Sequence, residues 1–150
     1  RLESESNRVW LRAPERLNAI EFLETEVYPG FPTDMQSVFL ALLCMADGDS
    51  VIRENIFEGR FETAGELHRL GADIEVEGRE ARIHAGRRLK GASVTARDLR
   101  GGAALIVAGL AAQGETVVRH CEHVDRGYER IVEDLSRLGA RIKRRSEPVL

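Results

Sequence analysis

An interval of about 66 residues occurs twice in this chain, and it constrains the fold more than any other feature. The first copy runs from Asp34-Met35-Gln36 through Gly48, Val51, Arg60 and Leu67 to Leu70-Gly71-Ala72. The second runs from Asp98-Leu99-Arg100 through Gly114, Val117, Arg126 and Leu135 to Leu138-Gly139-Ala140. The offset is 64 at the aspartates, 66 at the glycines, valines and arginines, and 68 at the Leu-Gly-Ala triplets. A repeat of this period marks one supersecondary unit used twice. What the copies share is read as fold. Polar residues at the strand-to-helix turns are the better candidates for function.

Each copy reads helix-strand-helix-strand, with a further strand toward the next unit. Val9 to Leu11 and Asn18 to Thr25 are expected as short strands around the turn at Pro14, and Tyr28-Pro-Gly-Phe-Pro32 as extended backbone, because its prolines lack amide donors. Thr33 or Asp34 suits an N-cap. Met35, Val38, Phe39, Leu42, Leu43 and Met45 follow at helical spacing, and Gly48 ends that helix. Val51 to Ile56 is predicted as a strand and Glu58-Gly59-Arg60 as a turn. A helix with Phe61, Ala64, Leu67 and Leu70 then closes at Gly71, before strands at Asp73 to Glu77 and Ala81 to His84. The second copy predicts a helix from Asp98 over Gly101 to Ala112 and a strand at Thr116 to Cys121. A turn at His123 to Gly127, a helix at Tyr128 to Leu138 and a strand at Arg141 to Lys143 complete it. This is an α/β (α+β) chain with helices on one face of small sheets. Periodicity does not decide whether the stacked units turn helices or sheets inward.

At 150 residues one compact domain is expected. The net charge of -3 gives no basic field, which argues against nucleic acid as a partner. No apolar run approaches the roughly 20 residues a membrane span needs. The chain starts at Arg1 rather than Met, so a piece of a longer protein is expected. Cys44 reads as a small core residue, and neither it nor Cys121 has disulfide or metal-site spacing. His68, His84, His120 and His123 read as surface or structural. Gly101-Gly102 lacks the phosphate-loop spacing and reads as close helix packing. The basic run Arg141 to Arg145 reads as a solvated chain end.

Asp34, Glu58, Arg60, Asp98, Arg100 and Arg126 stand at turns, two of them at helix starts where backbone amides already favour anions. Three arginines converging there would clamp a small polyanion, because guanidinium pairs bidentately with carboxylate or phosphate. Asp34 could then take a proton from a bound hydroxyl. The plainer alternative makes Asp34 and Asp98 helix caps and the arginines partners in surface ion pairs.

Four stretches carry a resemblance. Tyr28-Pro-Gly-Phe-Pro-Thr-Asp-Met-Gln36, Ile56-Phe-Glu-Gly-Arg-Phe61, Asp98-Leu-Arg100 and Asp125-Arg-Gly-Tyr-Glu129 resemble, in order and spacing, motifs of the enolpyruvyl transferases. The first is similar to the branch that acts on UDP-N-acetylglucosamine rather than on shikimate 3-phosphate. The resemblance covers about residues 20 to 144. It implies an inside-out α/β barrel of repeated βαβαββ-type units, of which this chain holds about two of three repeats of one domain (units about 26–90 and 91–145). It implies transfer of the carboxyvinyl group of phosphoenolpyruvate to the sugar 3′-hydroxyl with loss of phosphate, the first committed step of peptidoglycan synthesis, in the bacterial cytoplasm and without metal or organic cofactor. By motif, Asp34 would contact and deprotonate the hydroxyl, and Ile56 would contact the UDP-sugar through its backbone. Arg60 and Arg100 would hold the phosphoenolpyruvate carboxylate and Arg126 its phosphate. Glu58 and Asp98 would orient the arginines or assist proton movement.

Members of the family are longer, with two domains facing each other across the active site. Their essential lysine, reactive loop cysteine and most uridine contacts lie upstream of anything present here. Neither Cys44 nor Cys121 matches the loop cysteine. Glu62-Thr63-Ala64 replaces a commoner hydrophobic-and-histidine sequence after Phe61. The partner implied is therefore the missing N-terminal part of the same enzyme. Two other readings stand beside this one: a non-catalytic interaction module that retains the fold, and a relative acting on shikimate 3-phosphate or on RNA ends.

Overall fold

The computed structural model describes residues 2–145. A hairpin comes first: β1 (Leu2–Glu5) pairs antiparallel with β2 (Arg8–Leu11), both strands exposed. β3 (Phe22–Glu24) then runs parallel to β4 (Ser50–Arg53). Between them lie a 3-10 turn (Thr33–Met35) and α1 (Gln36–Leu43). α2 (Glu62–Arg69) leads to the hairpin of β5 (Asp73–Glu77) and β6 (Glu80–His84), completing a four-stranded sheet of order β3-β4-β6-β5. The second unit holds β7 (Ser93–Thr95), α3 (Leu99–Ala111), β8 (Val117–Arg119), α4 (Glu122–Asp125) and α5 (Ile131–Arg137), with β7 parallel to β8.

The two copies repeat in three dimensions down to single hydrogen bonds. Asp47 N–H donates to Leu17 O at 2.7 Å, and Gln113 N–H donates to Leu89 O at 2.9 Å. Thr25 N–H donates to Arg53 O at 3.0 Å, as Ala96 N–H does to Arg119 O at 2.9 Å. Both Leu-Gly-Ala triplets stop a helix in one way. The glycine turns left-handed (φ 90° at Gly71, 95° at Gly139), and the alanine N–H reaches back to Leu67 O at 3.1 Å or Leu135 O at 3.0 Å.

Helices face inward and sheets outward, which settles the choice that periodicity left open. Strand alternation puts Ile52, Ile74, Ala81 and Ile83 on the buried sheet face, while Glu75 and Arg82 point out. Leu40, Leu67, Leu70, Ala104 and Leu105 fill the space beneath, and α3 packs along α1 and α2. Small residues permit that approach. A Cβ on Gly101 would lie 2.5 Å from Thr63 Oγ1 of α2, and one on Gly102 2.5 Å from Val124 Cγ2 and 2.9 Å from Ala96 Cβ, so this glycine pair serves helix packing. Cys44 is buried with its thiol on Leu40 O, and burial pushes its pKa up to about 12.

Three local expectations need correction. Backbone 28–32 is not extended throughout: Gly30 N–H closes a turn on Val27 O, and Glu26 N–H takes Phe31 O as acceptor, so the chain doubles back. His123 to Gly127 is not a plain turn, because buried Val124 anchors α4 against α3. Arg141 to Lys143 forms no strand, since no partner strand is described beside it. Instead Ile142 packs on the Val124 cluster and Arg144 pairs with Asp125 at 2.9 Å. Among the described residues the second unit is therefore β7-α3-β8-α4-α5, with no strand after α5. Among the described residues no helix is long and apolar enough to cross a membrane.

Candidate active site

The site lies where the units meet. The 3-10 turn brings Asp34 to the mouth of the helix layer, the turn before α2 supplies Arg60, and the first turn of α3 supplies Arg100. Arg60 Nη2 donates to Asp34 Oδ1 at 2.9 Å, and Arg100 Nη2 donates to Asp34 Oδ2 at 3.0 Å. Each carboxylate oxygen thus takes a different guanidinium, one from each copy. Asp34 caps no helix. The 3-10 turn and α1 have no side-chain cap, since their N-cap positions are Pro32 and Met35.

Both arginines are fixed from a second side. The Arg60 guanidinium lies 5.0 Å over the Phe57 ring, and Arg100 Nη1 donates to the Tyr128 hydroxyl at 3.1 Å. Their side chains are only 20% and 33% exposed, against 56% for Asp34. The cluster is therefore a half-sheltered pair of cations with one carboxylate lying over it. The Arg100 hydrogen bond, opposed by partial desolvation and reinforced by Arg60, holds the Asp34 carboxyl below the usual range.

Asp98 is a cap. Its carboxylate accepts from the Arg100 and Gly101 amides, both at 2.8 Å, so it orients Arg100 through the backbone of α3. Ile56 lines an open hollow of about 370 Å³ together with Thr33, Asp34 and Phe57. Glu58 stands apart from the cluster: it is exposed, and its partner is Arg79, at 3.4 Å. Arg126 follows α4 and is exposed, and its side chain has no hydrogen bond or ion pair among the described residues. It lies on the same short segment as Tyr128, which holds Arg100. No group of three or more His, Cys, Asp or Glu that could hold a metal occurs among the described residues.

Two participants escaped the sequence reading. Tyr128 lay inside a quoted motif, yet nothing in its spacing pointed to Arg100. Glu54 was hidden in what read as the end of a strand. It is 1% exposed and accepts four hydrogen bonds, described below. Its signal was a charged residue directly after the buried run of β4.

The family described as EPSP synthase (3-phosphoshikimate 1-carboxyvinyltransferase) matches residues 3–135. The chain belongs to this family of carboxyvinyl transferases. Within it, the chain is 52% identical over 140 residues to a protein of Trichlorobacter lovleyi named UDP-N-acetylglucosamine 1-carboxyvinyltransferase, covering 93% of this chain and 33% of that protein. A Maricaulis maris protein of the same name is 54% identical over 133 residues, covering 89% and 31%. The chain thus spans about a third of the length of these curated relatives. Among solved structures, the enolpyruvyl transferase NikO from Streptomyces tendae superposes with a TM-score of 0.87 at 31% identity, over 99% of this chain and 34% of that one. EPSP synthase from Acinetobacter baumannii, at 19% identity and a TM-score of 0.62 over 99% and 34% of the two chains, shares the fold.

Proposed function

We propose that this chain supplies the acceptor base and the anion clamp of a UDP-N-acetylglucosamine 1-carboxyvinyltransferase of the bacterial cytoplasm. It completes its active site with a facing domain and a further repeat carried by the rest of the protein. The observation that carries the reading is the pair of guanidinium groups converging on one carboxylate. Such a seat matches the carboxylate of phosphoenolpyruvate. When that carboxylate occupies Arg60 and Arg100, Asp34 is displaced from them and turns to the sugar 3′-hydroxyl, whose proton it accepts. Arg126, unengaged among the described residues, takes the phosphate.

The chemistry is an addition followed by an elimination. The sugar oxygen bonds to C2 of phosphoenolpyruvate while a proton adds to the C3 methylene, giving a tetrahedral ketal. Loss of a C3 proton then re-forms the double bond as the C2–O bond to phosphate breaks. Carboxylate and phosphate keep their charges through both steps, so fixed cations stabilise each transition state without reorganising. Asp98 contributes by fixing the start of α3. Ile56 offers its backbone to the UDP-sugar across the hollow, and Glu58 braces Arg79 at the edge of that loop.

Kinetics of phosphate release in the full protein test these roles. Asp34→Ala lowers kcat by about 10² or more while acceptor binding is largely kept, as for a group that acts in the transition state. Arg126→Ala raises the KM for phosphoenolpyruvate above that for the sugar. Equal loss of both substrates in either variant contradicts the assignment.

A further inference from the structure

Glu54 is buried in a wall of the hollow, and its carboxylate is surrounded by donors. Oε1 accepts from the Thr25 hydroxyl at 2.9 Å, the Ile56 amide at 2.8 Å and the Phe57 amide at 3.0 Å. Oε2 accepts from the Thr33 hydroxyl at 2.9 Å. The Thr25 oxygen in turn accepts from the Asn55 amide at 2.9 Å, so its proton is committed to Glu54. Four donors around two oxygens favour the carboxylate over the acid. Burial alone would raise its pKa. The Phe57 and Ile56 amides, with the two hydroxyls, more than offset that and bring it below the usual range.

The duplication shows that the fold does not require this network. The hydrogen bond from Thr25 N–H to Arg53 O recurs as that from Ala96 N–H to Arg119 O, which places Ala96 opposite Thr25 and His120 opposite Glu54. Ala96 has no hydroxyl, and His120 is exposed, left-handed (φ 58°) and paired with Glu122. Only the copy that carries the hollow carries the buried carboxylate. Its ties end on Thr33, next to Asp34, and on Ile56 and Phe57. These are the two sides of the hollow.

We propose that Glu54 is a positioning residue for the acceptor: by joining Thr33 to the Ile56–Phe57 loop, it sets the distance between the Asp34 carboxylate and the loop backbone that the sugar nucleotide meets. This rests on the reading of the hollow as the acceptor site. Phosphoenolpyruvate is held by guanidinium groups to which Glu54 makes no hydrogen bond. Its loss therefore acts on the acceptor first.

Steady-state phosphate release by the full protein tests this with Thr33→Val, Glu54→Ala and Glu54→Gln. Thr33→Val deletes one tie to a charged acceptor and leaves the buried carboxylate in place. It raises the KM for UDP-N-acetylglucosamine about tenfold, with the KM for phosphoenolpyruvate within about twofold. Glu54→Ala has a larger effect on the acceptor and, because it also frees the Phe57 loop on which Arg60 rests, a smaller one on phosphoenolpyruvate. Glu54→Gln keeps the shape, with its amide donating to the Thr33 oxygen, and restores most of the acceptor KM. Equal rises in both KM values, or no rise in Thr33→Val, overturn the proposal. If Glu54→Ala fails to fold, Thr33→Val and Glu54→Gln still decide it. An unsubstituted protein that releases no phosphate from the two substrates overturns the functional reading, and this proposal with it. An active parent whose Thr33→Val variant is unchanged overturns this proposal alone.

Discussion

Asp34 shows how one residue can satisfy two descriptions. It is a counterion, sharing its oxygens between Arg60 and Arg100; in the proposed reaction it is also a base. Its depressed pKa keeps it ionised in the free protein, and the sign of that shift fixes the pH behaviour. A carboxyl whose folded pKa lies below its unfolded one adds stability at pH above the unfolded value, and that contribution is lost as pH falls through the folded value. Because the carboxylate is more than half exposed, the effect on stability is small, and catalysis is the better reporter. The acid limb of kcat/KM reports the free enzyme. In the full protein it therefore falls below the ordinary aspartate range, and it moves upward in Arg100→Ala, which removes the largest cause of the shift. An unmoved limb in that variant would show that another group controls it. The motifs named Asp34, Arg60 and Arg100 as candidates. That Asp34 bonds both arginines was not legible, since it depends on where the two copies meet and sequence spacing within a copy carries no such information.

Helices and their stops were the most readable elements, because a left-handed glycine and an i, i+3, i+4 apolar pattern are local properties. α2 ends as Leu70-Gly71 requires, and α3 starts at the Asp98 cap. Strand ends were less readable. β4 stops at Arg53 rather than Ile56, because Glu54 turns inward, the Asn55 amide bonds to the Thr25 hydroxyl, and the Ile56 and Phe57 amides bond to the Glu54 side chain instead of a ladder. The absent strand at Arg141 to Lys143 has a similar cause, since strand identity depends on a partner elsewhere in the chain. Helix packing also gives a test at this scale. Gly102→Ala places a methyl against Val124 and Ala96, both buried, and overpacking of this kind costs about 1–3 kcal/mol. Thermal or denaturant unfolding of the full protein should show that loss. Gly59→Ala is a useful contrast: nothing lies within 4 Å of its added Cβ, so its cost comes only from the left-handed backbone (φ 67°). Equal stability of Gly102→Ala and the parent would contradict the packing account.

At the scale of the molecule, the duplication separates scaffold from chemistry. Parallel β3-β4 and β7-β8 pairs, glycine stops and the helix layer recur in both units. The buried carboxylate of Glu54 occurs in the first alone, and the Tyr128 brace on Arg100 comes from the second. The charge cluster belongs to neither unit: Asp34 and Arg60 come from one, Arg100 from the other. A site built on such a seam depends on the packing of α3, and Gly101 and Gly102, which let it approach α2 and α4, directly follow the arginine they help to place. It also opens toward solvent, along the hollow lined by Thr33, Asp34, Ile56 and Phe57. Phosphate release with phosphoenolpyruvate and UDP-N-acetylglucosamine, measured side by side for the full protein, its Asp34→Ala variant and the isolated chain, tests the central claim most directly. The account predicts release that requires both substrates in the full protein and is lost in Asp34→Ala and in the isolated chain. Release that survives Asp34→Ala, or that the isolated chain carries out alone, would contradict it.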